Sequence, residues 1–151
     1  MKYRLAIVAL LLWGATLATA VFLFFHGTTT TGSDGRSVVI ITKVERDQIL
    51  QEMRGMLQAT ADITGALAAG NNAAIVSTAL SVGSAAMSAD SPVLLAKLPL
   101  GLKEAGLAVH NGFDALAGAA KSGASKDRLT AMISDQLTIC AGCHAQYRFS
   151  E

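Results

Sequence analysis

The chain has 151 residues, which is enough for one domain with a core of ordinary size. Apolar residues make up 52% of it and aromatic residues only 5%, so we expect an aliphatic core, which favours packed helices over sheets. The formal net charge of +1 argues against a nucleic-acid-binding protein and against a strongly acidic partner.

The N-terminal segment, residues 1–26, predicts a single membrane-spanning helix. Lys2 and Arg4 precede an apolar run at 5–25, which as a helix extends roughly 30 Å, the thickness of a bilayer's hydrocarbon core. A cleaved signal peptide is the alternative, since the small residues at 18–20 match a cleavage site, but the apolar run continues beyond them. Basic residues before the span predict a cytoplasmic N-terminus and a periplasmic remainder.

The segment 27–41 predicts a linker, because it is mostly polar, rich in Gly, Thr and Ser, and lacks periodicity. A helical domain is expected over 42–151. Thr42 lies three residues before Glu45, the spacing of a capping box, and predicts the start of a first helix that continues to Ala69. The larger apolar residues at helical steps in this helix are Ile49, Met53, Met56, Ile63 and Leu67.

Three further helices are predicted. The second covers about 73–88, and a connection flanked by the prolines at 92 and 99 follows it. The third covers about 100–120, and Ser125 caps the fourth. Amphipathic helices with short connections predict an all-α fold, an antiparallel four-helix bundle preceded by a single N-terminal transmembrane helix.

The predicted fourth helix contains the sequence CAGCH. Cys140, Cys143 and His144 form the C-x-x-C-H pattern of covalent haem attachment. Both thiols can bond the vinyl groups of one porphyrin edge, while the neighbouring imidazole reaches the iron. Cys140 and His144 are one helical turn apart and share a face. The sequence therefore predicts one covalently bound haem c with His144 as an iron ligand.

Three other interpretations of the cysteines fit less well. A redox dithiol usually lies at a strand-to-helix junction of an α/β fold, which the helical pattern does not offer. A structural zinc site needs four ligands, and neither His26 nor His110 has another strong ligand paired with it in the sequence. A disulfide across two intervening helical residues is strained.

A C-x-x-C-H motif on the last helix resembles the class II cytochromes c, the cytochrome c-prime family. The stretch CAGCHAQYR carries this resemblance, and LPLGLKEAGLAVHNGFDALAGAA is similar to the third helix of the family. The likeness covers 42–149. It implies a four-helix bundle with haem on its final helix and a function in single-electron transfer without enzyme activity of its own.

The resemblance also implies that the first helix faces the haem. Family members commonly carry an arginine there and, four residues later, a methionine or another apolar residue over the iron. Met53 matches that position best and is the expected second iron ligand, although Ile49 stands where the arginine is expected. Met56 is the alternative ligand, and an iron with an open distal face is a further one.

Other residues are expected around the haem. Arg148 follows His144 by four residues, so on the same helix it can bond a haem propionate. A solvated arginine that the dipole of the helix C-terminus favours is the alternative. Tyr147 is expected at the haem edge and Phe113 in the pocket wall. His110 is expected to be a partly exposed hydrogen-bonding residue.

The sequence thus favours a membrane-tethered cytochrome that exchanges electrons with a redox protein at the same membrane. Two alternatives stay open: a five-coordinate haem protein that binds or senses small gases, and a tethered haem subunit of a larger membrane complex. A homodimer is compatible with either.

Overall fold

The computed structural model describes residues 2–89 and 91–150. As predicted, the chain is mostly helical and begins with an apolar helix. Helices within these residues are α1 (Lys2–His26), α2 (Lys43–Ala68), α3 (Asn72–Ser81), α4 (Pro92–Lys97), α5 (Leu100–Lys121) and α6 (Lys126–Gln146), with a 3₁₀ helix at Ser84–Ala89. Strands are β1 (Thr29–Thr31), β2 (Ser37–Val39) and β3 (Tyr147–Phe149).

Helix α1 is long and apolar enough to cross a membrane. An 18-residue window within its span Tyr3–His26 has a mean hydropathy of 2.3, and none of that window is buried against the rest of the chain. Most of its surface is therefore available to lipid.

The start of α2 was predicted correctly. The hydroxyl of Thr42 accepts from the backbone N–H of Glu45 at 3.3 Å, and the Glu45 carboxylate accepts from the backbone N–H of Thr42 at 2.7 Å. This reciprocal pair is the capping box that the spacing indicated. The same carboxylate also binds the ammonium of Lys97 at 2.6 Å, which joins α2 to the end of α4.

The second predicted helix is shorter than expected. Helix α3 ends at Ser81, and a 3₁₀ helix follows it. The Asp114 carboxylate of α5 accepts from the backbone N–H of Ser84 at 2.9 Å, and a Cβ at Gly83 would collide with the same carboxylate. This tertiary contact at the start of the 3₁₀ helix replaces a hydrogen bond that a continuing α-helix would use.

The connection between the two prolines contains a helix that the sequence did not predict. Helix α4 starts after Ser91, whose hydroxyl accepts from the backbone N–H of Val93 at 3.3 Å. The later boundaries match more closely: α5 starts directly after Pro99, and Ser125 caps α6 through the N–H of Arg128. However, α6 stops at Gln146 rather than continuing towards the terminus.

The predicted linker is partly ordered into a sheet. Strand β2 pairs antiparallel with β1 and parallel with β3, with Val38 opposite Arg148. Val38 is 6% exposed and Val39 is fully buried, so the side chains on both faces of β2 are covered. Next to the sheet, the backbone N–H of Thr28 donates to the carbonyl of Lys97 at 2.8 Å. The segment after α1 therefore contacts both α4 and the C-terminal segment.

The helical part has a tightly packed end and a hollow end. Helix α2 contacts α3 and α6, and α5 contacts the same two helices. The core lies between the C-terminal halves of α2 and α5, the N-terminal half of α6 and helix α3, and its largest buried side chains include Ile63, Ile75, Leu116 and Leu129. The opposite halves of α2, α5 and α6 surround one cavity, and α2 and α5 line a second one together with α4 and the end of α1.

Candidate functional site

The first cavity, which we call the cysteine cavity, has a volume of about 340 Å³. It lies between α2, α5 and α6 at the hollow end. Its boundary includes Cys140, Cys143 and His144 of α6, Met53 and Leu57 of α2, and Phe113 of α5. The structure thus brings the motif residues to one hollow together with the methionine and the phenylalanine expected near them.

The two thiols are free and partly buried. Burial raises the pKa of the Cys140 thiol. Burial likewise raises the pKa of the Cys143 thiol, and the charge of Cys140 adds to that effect. Both thiols therefore remain protonated at neutral pH, beside the imidazole of His144. Within the described residues, no three His, Cys, Asp or Glu side chains cluster as a metal site.

One face of α2 lines the cysteine cavity. Leu50, Met53, Arg54 and Leu57 recur there at three- and four-residue steps. Met53 and Met56 line both this cavity and the second one, whereas Ile49 lines only the second. Met53 is flanked on this face by residues at 50, 54 and 57, so it lies nearer the middle of the cavity wall than Met56 does.

Apolar side chains at the cavity remain exposed to water. Leu57 is 68% exposed and Leu137 is 47% exposed. Covering such surface is favourable by about 25 cal/mol per Å². The cavity therefore offers an apolar surface that a flat, apolar ligand can cover.

Two polar residues of the cavity were not assigned from the sequence. Gln136 is 6% exposed, and its side-chain nitrogen donates to the carbonyl of Val109 at 2.7 Å, which fixes it between α6 and α5. The signal was available, because Gln136 occupies an inward position three residues after Ile133. Arg54 lines the cavity although it is not at the position expected for an arginine.

Tyr147 and Arg148 lie elsewhere than predicted. Helix α6 ends before them, so the expectation that Arg148 shares a helical face with His144 is wrong. Arg148 pairs with Val38 in the sheet, and its Nε lies 3.6 Å from the Asp34 carboxylate. Neither residue lines the cysteine cavity. Pairing with β2 satisfies the backbone N–H and C=O groups of β3. The same groups would otherwise form the hydrogen bonds of a further turn of α6.

His110 is buried rather than partly exposed. It is 9% exposed, and its Nδ1 lies 2.8 Å from the carbonyl of Val82, which requires that Nδ1 carry the proton. It does not line the cysteine cavity. His26, at the end of α1, packs against Phe22 with ring centroids 4.5 Å apart.

The second cavity has a volume of about 480 Å³ and lies between α2, α4, α5 and the end of α1. Its lining is mainly apolar, with Glu52, Lys103 and His110 as ionisable residues. Because Met53 and Met56 line both cavities, the two hollows share part of one wall.

No family model, curated protein or solved structure matches the chain. The residues of the cysteine cavity fit a covalently attached haem in three respects. Two thiols and one imidazole share a face of α6, the cavity walls are apolar, and a thioether lies on the facing helix. Haem c requires two thiols for attachment and an imidazole for the iron, apolar walls suit the ring, and a thioether is one of the groups that can provide a second iron ligand.

Proposed function

We propose that this protein is a membrane-anchored class II c-type cytochrome that transfers single electrons. The observation that carries the proposal is the convergence of Cys140, Cys143 and His144 on an apolar cavity that faces Met53. Haem c, when bound, supplies a one-electron Fe(III)/Fe(II) couple. The polypeptide attaches the haem, controls its surroundings and performs no further catalytic chemistry.

Five residues of the cavity have a specific role in this proposal. Cys140 and Cys143 form thioether bonds to the ring, and His144 binds the iron. Met53 would provide a thioether ligand to the iron, which would favour Fe(II) and raise the reduction potential. Arg54 takes the place first assigned to Arg148, as the cation nearest the cavity for a propionate.

The helix contacts support a four-helix bundle of the class II type. Helices α2, α3, α5 and α6 contact one another as a closed ring of neighbours. The C-terminal half of α5 shares the core with the N-terminal half of α6, as expected for an antiparallel pair joined by a short turn. In this proposal the haem lies at the hollow end of the bundle.

The N-terminal helix supports a location at the membrane. We place Lys2 and Arg4 in the cytoplasm and the body of the protein in the periplasm, where c-type haem is attached. Since α1 restricts the protein to the bilayer surface, the redox partner belongs to the same membrane. A second copy of the chain or a larger membrane complex is compatible with such a tether.

The test is whether haem stays attached after denaturation. We expect the full chain, produced with cytochrome c maturation machinery, to keep its haem after acid–acetone extraction and to show the added mass. The double variant Cys140→Ala/Cys143→Ala should retain no haem after the same extraction. Thr138→Ala, an exposed position on the same helix, is the matched control and should keep it. A wild-type chain with free thiols and no haem under these conditions contradicts the proposal.

A gas-binding haem protein is the second candidate. It is favoured by the position of Met53, which lines both cavities and so has space on either side. In that case the iron is high-spin and the reduced protein binds carbon monoxide readily. A low-spin reduced form that does not bind carbon monoxide supports the electron carrier instead.

A further inference from the structure

The second cavity lies where the membrane helix meets the body of the protein. Phe24, in the last turn of α1, is part of its wall. The ammonium of Lys103 donates to the carbonyl of Phe24 at 3.1 Å and lies 4.7 Å from the centroid of its ring. The end of α1 is thus held against α5, and the cavity is continuous with the surface that faces lipid.

The backbone after α1 strengthens this attachment. Gly27 is buried with φ of +60°, and a Cβ there would lie 2.6 Å from the carbonyl carbon of Leu98. Only glycine therefore fits this close approach between the end of α1 and the α4–α5 junction. Because α1 is fixed here, the cavity lies directly beside the end of the helix that we place in the bilayer.

The chemistry of the lining favours a neutral, apolar ligand with a hydrogen-bonding head group. At about 480 Å³ the cavity has the size of an ordinary ligand site, typically about 300–1,000 Å³. Its ionisable residues have mixed character: the acid Glu52, the base Lys103 and the imidazole of His110. An anionic lipid head group would meet both a cation and an anion, which argues against it.

His110 supplies a specific contact. Its Nδ1–H is used by the carbonyl of Val82, so Nε2 is the nitrogen that remains for a ligand and is a hydrogen-bond acceptor in the neutral ring. A phenolic hydroxyl is a matching donor. The ring that bears such a hydroxyl packs favourably against the thioether of Met56, which the proposed function leaves free of the iron.

We propose that the second cavity binds a membrane-soluble hydroquinone, with one hydroxyl donating to Nε2 of His110 and the alkyl tail leaving along α1 towards the bilayer. This inference rests on the proposed function, because the hydroquinone has a biological role here only if the protein transfers electrons. The wall that Met53 and Met56 share between the two cavities places the hydroquinone beside the cysteine cavity. Its binding is measurable independently of haem.

The two cavities offer a matched pair of filling variants. Ala96 lines only the second cavity, and Ala105 lines only the cysteine cavity. The full chain in lipid nanodiscs is titrated with decylhydroquinone, and covalent haem is measured on the same samples. We expect saturable binding that Ala96→Phe abolishes while haem is retained. Ala105→Phe should lower haem attachment and retain hydroquinone binding.

A conservative variant tests the head-group contact. His110→Asn retains a donor near the carbonyl of Val82 and removes Nε2, and we expect it to weaken decylhydroquinone binding by about tenfold. Decylbenzene, which has the same tail without hydroxyls, should bind weakly and equally to both proteins. Equal binding of decylbenzene and decylhydroquinone to the wild type overturns the proposal in favour of an unspecific lipid site.

The remaining outcomes separate the two proposals. Covalent haem without saturable hydroquinone binding overturns the present inference and leaves the cytochrome intact. Saturable binding by a chain that never acquires haem supports the binding site and overturns the proposed function.

Discussion

The guanidinium of Arg36 donates from Nη1 to the backbone carbonyl of His144 at 3.3 Å. The same side chain binds the Asp34 carboxylate through Nε and Nη2 at 2.8 and 2.7 Å. Carbonyls in the last turn of a helix have no partner within the helix, and a cation there is favourable. The segment between α1 and α2 thus holds the end of the helix that carries the cysteine motif.

We predict that Arg36→Ala loosens the C-terminal segment without unfolding the protein. Because Arg36 and Asp34 are both substantially exposed, the loss of stability should stay below about 1 kcal/mol. Amide hydrogen exchange at Tyr147–Phe149 should accelerate, since β3 is held by this hairpin. Arg128→Ala, an exposed arginine at the other end of α6, should leave that exchange unchanged. Equal exchange rates in all three proteins would show that the contact does not hold the segment.

Gly112 permits α5 and α6 to approach at the cysteine cavity. A Cβ at this position would lie 2.5 Å from the side-chain carbonyl carbon of Gln136. We predict that Gly112→Ala displaces Gln136 from its bond to Val109 and lowers the free energy of unfolding by roughly 1–3 kcal/mol. Urea unfolding followed by circular dichroism measures this change.

Two further variants test that cause. Gly118 lies on the same helix, and a Cβ there meets nothing within 4 Å. Gly118→Ala should therefore raise stability by about 0.4–1 kcal/mol. In a Gln136→Ala background the cost of Gly112→Ala should shrink, because the colliding side chain is absent. If Gly112→Ala destabilises the Gln136→Ala protein as much as the wild type, the destabilisation comes from a contact other than the one with Gln136.

Local signals in the sequence were sufficient for the helix boundaries that depend on neighbouring residues. Thr42 and Ser125 cap their helices with side chains that reach only three residues along the chain. The end of α3 is different, because Asp114 acts on Ser84 from 30 residues away. No local pattern indicates a hydrogen bond of that separation.

The same distinction separates the predicted site residues that the structure brings together from the one that it places elsewhere. Cys140, Cys143 and His144 share a cavity because a single helix carries them at a fixed spacing. Arg148 was misplaced because its strand pairs with Val38, far away in the chain. That pairing joins two distant parts of the chain, and no local pattern in the sequence indicates it.

Because of the ion pair between Glu45 and Lys97, we predict that the stability of the fold depends on pH in the acidic range. The hydrogen bond from Lys97, followed by the one from the backbone of Thr42, lowers the pKa of Glu45 from 4.5 to about 2. A lowered folded-state pKa stabilises the protein above the unfolded-state value, and this contribution is lost as pH falls from about 4.5 to about 2. We therefore expect the urea midpoint to fall over this interval.

A comparison of variants isolates the part that belongs to Glu45. Asp34, Asp47 and Asp114 also have lowered pKa values because of their hydrogen bonds, so the wild type should lose stability from several groups at once. Glu45→Gln should be less stable at neutral pH and show a shallower decline in acid. Glu104→Gln, at an exposed acid on α5, should follow the wild type. Parallel curves for all three would exclude Glu45 as a source of the decline.

Met53 and Met56 can be distinguished by the coordination of the iron in the proposed cytochrome. Met53 lies among the residues of α2 that line the cysteine cavity, whereas Met56 lies at the edge of that face, towards the second cavity. We expect Met53→Ala to convert a low-spin, six-coordinate iron to a high-spin form that binds carbon monoxide. Its reduction potential should fall, since a thioether ligand favours Fe(II). Met56→Ala is the matched control and should keep the wild-type spectrum. The reverse pattern would assign the ligand to Met56, and carbon monoxide binding by the wild type would mean that neither methionine holds the iron.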